Sequence, residues 1–159
     1  MRLYLVQHGQ AVDKQTDPDR PLTEHGAQEA DAVGAFLSAQ RLNVPEVWHS
    51  GKTRARQTAE TLAGHVAQDG AVQMRDGLAP KDDVAKIAKA LRGRDRDLLI
   101  VGHLPFLAKL AGLLLAGDER THVVAFQYAG VVCLESDDEG RWQVRWMVVP
   151  QLAQAGRRQ

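Results

Sequence analysis

Three short segments of the chain place a histidine or an arginine directly after an apolar run. They are Gln7-His8-Gly9 after residues 3–6, Ser50 to Arg54 after residues 44–48, and Gly102-His103 after residues 97–101. Short apolar runs of this kind predict β-strands. If the strands are parallel neighbours, their carboxyl ends meet at one sheet edge, where open α/β sheets bind ligands. The pattern therefore predicts a pocket that contains two histidines and an arginine.

Such a pocket suits a phosphoryl dianion. Arg54 offers a planar fork of N–H donors that matches phosphate oxygens. Helices predicted to begin after Ser50 and at Pro105 add backbone N–H groups and a partial positive charge. A neutral imidazole can attack phosphorus directly, which makes His8 a candidate nucleophile. We expect nearby cations to lower the pKa of His8 and to keep it unprotonated at neutral pH.

The alternation of apolar runs and helical periodicity predicts how these residues are positioned. We expect strands over residues 3–6, 44–48, 72–74, 97–101, 123–135 and 141–149, and helices over 24–40, 52–65 and 81–91 and after Pro105. This order predicts an α/β fold, a three-layer α/β/α sandwich whose mostly parallel sheet has an antiparallel C-terminal addition. Thr23 is expected to cap the first helix, and residues 136–140 to form a hairpin turn. A single domain over residues 1–152 and a frayed tail over 153–159 complete the prediction.

The bulk composition excludes several classes of protein. Twenty basic and twenty acidic residues balance, which argues against a general nucleic-acid surface. The longest apolar stretch, 104–116, is interrupted by Lys109 and is shorter than the roughly 20 residues of a membrane span. The N-terminus lacks the apolar region of a signal peptide, and the single Cys133 excludes an internal disulfide. We therefore expect a cytoplasmic protein that is a monomer and binds neither nucleic acid nor membrane.

Four motifs in the same order resemble those of the histidine phosphatase superfamily, which has the phosphoglycerate-mutase-like fold. Within it, the chain looks most like the small SixA-type phosphohistidine phosphatases. The motifs are Val6-Gln7-His8-Gly9, Arg20-Pro21-Leu22-Thr23-Glu24-His25-Gly26, Ser50-Gly51-Lys52-Thr53-Arg54-Ala55-Arg56-Gln57-Thr58 and Gly102-His103-Leu104-Pro105.

The resemblance implies a role for each matching residue. His8 is the phosphate-accepting nucleophile, and Arg54 and His103 bind the transferring phosphoryl group. The substrate-binding residues that we expect beside them are Gln7, Gly9, Arg20 and Ser50. The resemblance implies no metal and no organic cofactor, and the histidines do not have metal-ligand spacing. The implied partners are phosphohistidine-bearing proteins, bound transiently, together with phosphate or other oxyanions.

Gln7 departs from the family pattern, because the family usually has arginine at this position. A lost charge-assisted hydrogen bond typically costs about 1.5–3 kcal/mol. We expect Arg20, from the polar loop 10–22, to supply the missing charge. Gly51, where the family usually has proline, should loosen the second loop slightly.

A second departure concerns the general acid. Many superfamily phosphatases have a glutamate after the third strand, whereas this chain has Leu78-Ala79-Pro80, like SixA-type members. An alkoxide leaving group needs a proton in the transition state, whereas the imidazole of phosphohistidine can already be protonated on its other nitrogen. The sequence therefore favours hydrolysis of a P–N bond. Two alternatives stay open: a small-molecule phosphomonoesterase whose acid is Asp82 or Asp83, and a phosphate-binding pseudoenzyme, because of Gln7.

Overall fold

A mixed sheet of six strands forms the centre of the protein, in a computed structural model that describes residues 1–156. The strands are β1 (Arg2–Gln7), β2 (Glu46–His49), β3 (Val72–Met74), β4 (Leu98–Gly102), β5 (Val131–Ser136) and β6 (Trp142–Val148). The helices are α1 (Glu24–Ala39), α2 (Thr53–Val66), α3 (Val84–Leu91), α4 (Phe106–Ala116) and α5 (Pro150–Ala155). None of these helices is long and apolar enough to cross a membrane.

The strands follow the order β3-β2-β4-β1-β5-β6 across the sheet. The first four in this order are parallel, β5 runs antiparallel to β1, and β6 runs antiparallel to β5. The three strands that precede the sequence motifs, β2, β4 and β1, are therefore adjacent and parallel. This arrangement confirms the predicted mostly parallel sheet with its antiparallel C-terminal addition.

Both faces of the sheet are covered by helices, which makes the three layers. On one face, Tyr4 and Val6 pack into a core with residues of α1, α2 and α5. On the other face, Leu3 and Leu5 pack into a second core with residues of α3 and α4. Alternate residues of β1 thus enter opposite cores, as a strand buried on both faces requires.

Side-chain caps fix where two of the helices begin. The Thr23 hydroxyl accepts a hydrogen bond of 2.9 Å from the Gly26 amide and confirms the predicted cap of α1. The carboxylate of Asp83 accepts one of 2.9 Å from the Ala85 amide. The expected start of α3 at residue 81 is therefore wrong, because the chain becomes helical only after this cap, at Val84.

Two expectations for the C-terminal third are wrong. The strand expected from residue 123 begins only at Val131, because Val124 and Phe126 pack against the α3–α4 core from a segment without strand pairing. The tail expected to fray from residue 153 is instead helical through residue 155, because the buried Ala153 anchors α5 in the other core. Residues 157–159 of that expected tail lie outside the described residues.

The β5–β6 hairpin contains the predicted turn and a bulge. The turn closes with a hydrogen bond of 2.9 Å from the Asp137 amide to the Arg141 carbonyl oxygen. Cys133 pairs with Trp146 and Leu134 pairs with Val144, so Arg145 is the extra residue on β6.

Two glycines let α1 lie directly on the loop that follows β1. A Cβ atom on Gly9 would lie 3.0 Å from the Gly26 carbonyl oxygen, and a Cβ atom on Gly26 would clash with the Gln10 carbonyl oxygen. The loop that follows β1 is thus packed against the first turn of α1.

We predict that Gly26→Ala destabilises the protein by about 1–3 kcal/mol, because two backbone segments must move apart. Gly64→Ala is the matched control within α2, since nothing lies within 4 Å of a Cβ atom there. It should stabilise the protein by about 0.5–1 kcal/mol through helix propensity. Urea unfolding measures the change in the free energy of unfolding for both variants. Equal changes at the two positions would contradict the close packing of Gly26 against the Gln10 backbone.

Candidate active site

The carboxyl ends of β1, β2 and β4 bring the predicted site residues together. The ring centroids of His8 and His103 lie 5.1 Å apart. The Ser50 hydroxyl oxygen lies 2.6 Å from His103 Nε2, and Arg54 Nε lies 3.3 Å from His8 Nε2. Four residues from three separate motifs thus form one connected cluster.

The hydrogen bonds of His8 define its tautomer. Nδ1 lies 2.7 Å from the Gly9 carbonyl oxygen, which can only accept, so we place the ring proton on Nδ1. Nε2 then carries the lone pair and accepts a hydrogen bond from Arg54 Nε. Nε2 is therefore the nitrogen that can attack an electrophile bound beside Arg54.

Both histidines are held in the neutral form. Burial is the main reason that the pKa of His8 falls to about 4, and the charges of Arg54 and Arg20 lower it further against the opposing Gly9 hydrogen bond. Burial is also the first cause of the fall of the His103 pKa to about 3, followed by His8 and Arg54. The predicted direction for His8 is confirmed, but desolvation contributes more than the neighbouring cations.

Arg20 extends into this cluster from the loop that follows β1. Its backbone has φ +48, an uncommon conformation for a residue with a side chain, and its Nε donates to the Val12 carbonyl oxygen at 3.1 Å. Its charge lowers the pKa values of His8, Arg54 and His103. Arg20 is therefore within electrostatic range of the site, and its role as a substrate-binding residue stays a prediction.

The site has a surplus of positive charge. Burial and the charge of Arg20 lower the pKa of Arg54, and Tyr128 opposes this fall. Within residues 1–156, the largest influences on the pKa values of His8, Arg54 and His103 include no carboxylate. The same described residues contain no cluster of three or more His, Cys, Asp or Glu side chains that could hold a metal. A dianion such as a phosphoryl group would neutralise the surplus.

Helix α2 contributes two supports beside Arg54 itself. The fully buried Thr58 hydroxyl accepts from the Gly9 amide at 3.0 Å and donates to the Arg54 carbonyl oxygen at 2.8 Å. The Gln57 side chain accepts from the Leu22 amide at 2.7 Å. Both residues lie within the third motif, which is the sequence signal that could have assigned them a role.

The remaining predicted site residues also lie at this edge of the sheet. Gln7 is buried at the end of β1, and within the described chain its Oε1 has no hydrogen-bond partner. His103 Nδ1 is likewise buried without a partner there.

The aromatic ring of Tyr128 completes the site, and the sequence analysis did not include it. Its centroid lies 5.6 Å from that of His8, and the residue is 42% exposed. Tyr128 belongs to none of the four motifs and follows no predicted strand end. No signal in the single sequence marks it.

Asp82 and Asp83 have local structural roles. Asp82 accepts a hydrogen bond of 2.9 Å from the Ala79 amide, and Asp83 caps α3. Neither shifts the pKa of His8, Arg54 or His103. These contacts weigh against either carboxylate as the acid of a phosphomonoesterase.

Comparison with known proteins agrees with the fold. The family described as histidine phosphatase superfamily (branch 1) matches residues 3–80. Phosphohistidine phosphatase SixA of Escherichia coli K12 is 24% identical over 155 residues, which is 94% of each chain. An uncharacterised protein of Picosynechococcus is 34% identical over 144 residues, which is 86% of each chain.

The structural comparison covers nearly the whole chain. A structure of the protein histidine phosphatase SixA complexed with tungstate superposes with a TM-score of 0.84 at 25% identity, over 96% of this chain and 99% of that one. The fold is that of the phosphoglycerate-mutase-like α/β proteins. The chain belongs to the histidine phosphatase superfamily.

We predict that acid weakens the fold through the two buried histidines. Their pKa values in the folded protein, about 4 and about 3, lie below the ordinary value of 6.5. Between these limits the unfolded chain binds more protons, so the free energy of unfolding should be fully retained above pH 6.5 and fall as the pH drops towards 4. Urea unfolding at several pH values measures this slope, and replacing both histidines with asparagine should reduce it. If the free energy of unfolding depends on pH equally strongly in that variant, His8 and His103 are not held neutral in the folded protein.

Proposed function

We propose that this protein is a phosphohistidine phosphatase, which hydrolyses the P–N bond of phosphohistidine in proteins through a covalent intermediate on His8. The observation that carries the proposal is the protonation state of the His8 ring. Its Nε2 is unprotonated and next to Arg54, in a pocket with surplus positive charge. Membership of a superfamily of phosphoryl-group hydrolases and the likeness to SixA support the same chemistry.

In the first step, Arg54 and Arg20 bind the phosphoryl oxygens and His8 Nε2 attacks phosphorus in line. A new P–N bond forms at Nε2 while the P–N bond of the substrate breaks. The bonding electron pair leaves with the substrate imidazole, whose other nitrogen carries a proton, so that a neutral histidine departs. The Gly9 carbonyl oxygen stabilises the positive charge that develops on the His8 ring, because it accepts from Nδ1–H.

In the second step, water attacks the phosphorus of the His8 adduct. The electron pair of the broken P–N bond returns to Nε2, the water passes one proton to bulk solvent, and hydrogen phosphate leaves. His103 is held by Ser50 beside this centre and contributes a polar contact for the phosphoryl oxygens. The cations stabilise the charge spread over those oxygens in both steps.

The contacts of Asp82 and Asp83 support a P–N substrate over a P–O substrate. Both carboxylates accept local backbone hydrogen bonds, and neither is among the largest influences on the pKa values of His8 and His103. An alkoxide leaving group would lack its proton donor, whereas a protonated imidazole needs none. The partners we propose are phosphohistidine-bearing proteins, bound transiently by a cytoplasmic monomer.

The deciding experiment compares phosphate release from a phosphohistidine peptide and from p-nitrophenyl phosphate. We expect a higher kcat/KM for the peptide, and we expect His8→Ala to abolish release from both, because the nucleophile is gone. Preference for the ester would instead favour a phosphomonoesterase. Phosphate binding without His8-dependent release from either compound would favour the pseudoenzyme.

A second prediction concerns Arg20. We expect its charge to replace that of the arginine which the family usually has at the position of Gln7. Arg20→Ala should lower kcat/KM about 10- to 100-fold, because a charge-assisted hydrogen bond to the phosphoryl group is lost. Arg56→Ala is the matched control, since Arg56 is exposed and pairs with Glu60 at 3.3 Å. Steady-state kinetics measures both variants. Parent-like kinetics for Arg20→Ala would show that Arg20 only anchors its loop.

A further inference from the structure

Tyr128 lies within the site but has no part in the mechanism derived above. Its ring is tilted by 42° to the His8 ring at a centroid distance of 5.6 Å. This distance lies within the range of favourable aromatic pairs. With 42% of its surface exposed, the residue also extends beyond His8, which is 6% exposed, towards solvent.

The backbone holds Tyr128 at this place. It forms an isolated bridge with Gln7, and the Ala129 amide donates to the Gln7 carbonyl oxygen at 2.9 Å. The Gly130 amide donates to the Gln127 carbonyl oxygen at 2.9 Å, and Ala129 has φ +57. The segment is thus a tight turn fixed to the end of β1, one residue away from the nucleophile.

The geometry of in-line attack determines what such a ring can contact. In an in-line attack the leaving group stands opposite to His8 Nε2 across phosphorus. Because His8 and His103 are buried, the side chain of a protein substrate reaches them from solvent. Tyr128 also opposes the fall of the pKa of Arg54, the residue that binds the phosphoryl oxygens in the proposed mechanism, and so lies within electrostatic range of it. A planar leaving group attached to that phosphoryl group would therefore come within reach of the outward part of the Tyr128 ring.

We propose that Tyr128 is a specificity-determining residue whose ring stacks on the imidazole of the substrate phosphohistidine. This proposal rests on the proposed function and names the feature of the substrate that the site recognises. The ring favours a flat aromatic leaving group over ammonia or an alkyl group. The phenol hydroxyl has no part in this preference.

The test uses two P–N substrates, of which only one has a ring: a phosphohistidine peptide and phosphoramidate. The measured quantity is the ratio of their kcat/KM values. We expect Tyr128→Leu to lower this ratio about 3- to 10-fold, which is the gain typical of an aromatic pair. Tyr128→Phe is the matched control, which keeps the ring without the hydroxyl and should preserve the ratio. Urea unfolding confirms that both variants fold.

Each contrary result has a distinct meaning. Equal losses on both substrates in Tyr128→Leu would show that the ring only positions His8, and would overturn the proposal. A ratio that falls as much in Tyr128→Phe as in Tyr128→Leu would assign the effect to the hydroxyl and overturn it as well. If the parent enzyme releases phosphate from phosphoramidate but not from the peptide, the proposed function itself fails, and the proposal fails with it.

Discussion

The hydrogen bond between His8 Nδ1 and the Gly9 carbonyl oxygen is the interaction on which the site depends. It occupies one ring nitrogen with a proton and leaves the lone pair on the other, facing Arg54. Gly9 is in turn held by the Thr58 hydroxyl, which also binds the Arg54 carbonyl oxygen. One buried threonine therefore positions both the backbone that orients the nucleophile and the start of the helix that carries the arginine.

Burial of the two histidines and the positive charges of Arg54 and Arg20 together determine the electrostatic potential of the site. Two imidazoles are buried deeply enough to remain neutral. Arg54 and Arg20 lower their pKa values further, and the largest influences on those pKa values within the described residues include no carboxylate. In such surroundings the imidazoles resist protonation, whereas a dianion is attracted to the site. In the proposed mechanism, Arg20 supplies from another segment of the chain the cation that Gln7 does not provide.

The sequence was sufficient to predict the parallel strands β1, β2 and β4, because each contains an apolar run that is followed by a recognisable motif. It was not sufficient where tertiary packing decides. The apolar segment that contains Val124 and Phe126 has strand propensity, yet it contributes to the core without pairing. No pattern in the sequence around Ala153 predicts a helix. The residue is helical in the structure because its side chain is buried there. Tyr128 could not be found, since its nearness to His8 arises from a turn that binds the backbone of Gln7.

The bulge at Arg145 affects whether a strand of another molecule can pair with the edge of the sheet. Strand β6 is the outer strand on its side of the sheet, and an outer strand exposes backbone groups to which a strand of another molecule can add. The extra residue bends and twists β6, and it places a charged side chain there, paired with Glu135 at 3.2 Å. A twisted and charged edge is a poor template for strand addition. We therefore expect the irregularity to oppose aggregation through this edge of the sheet.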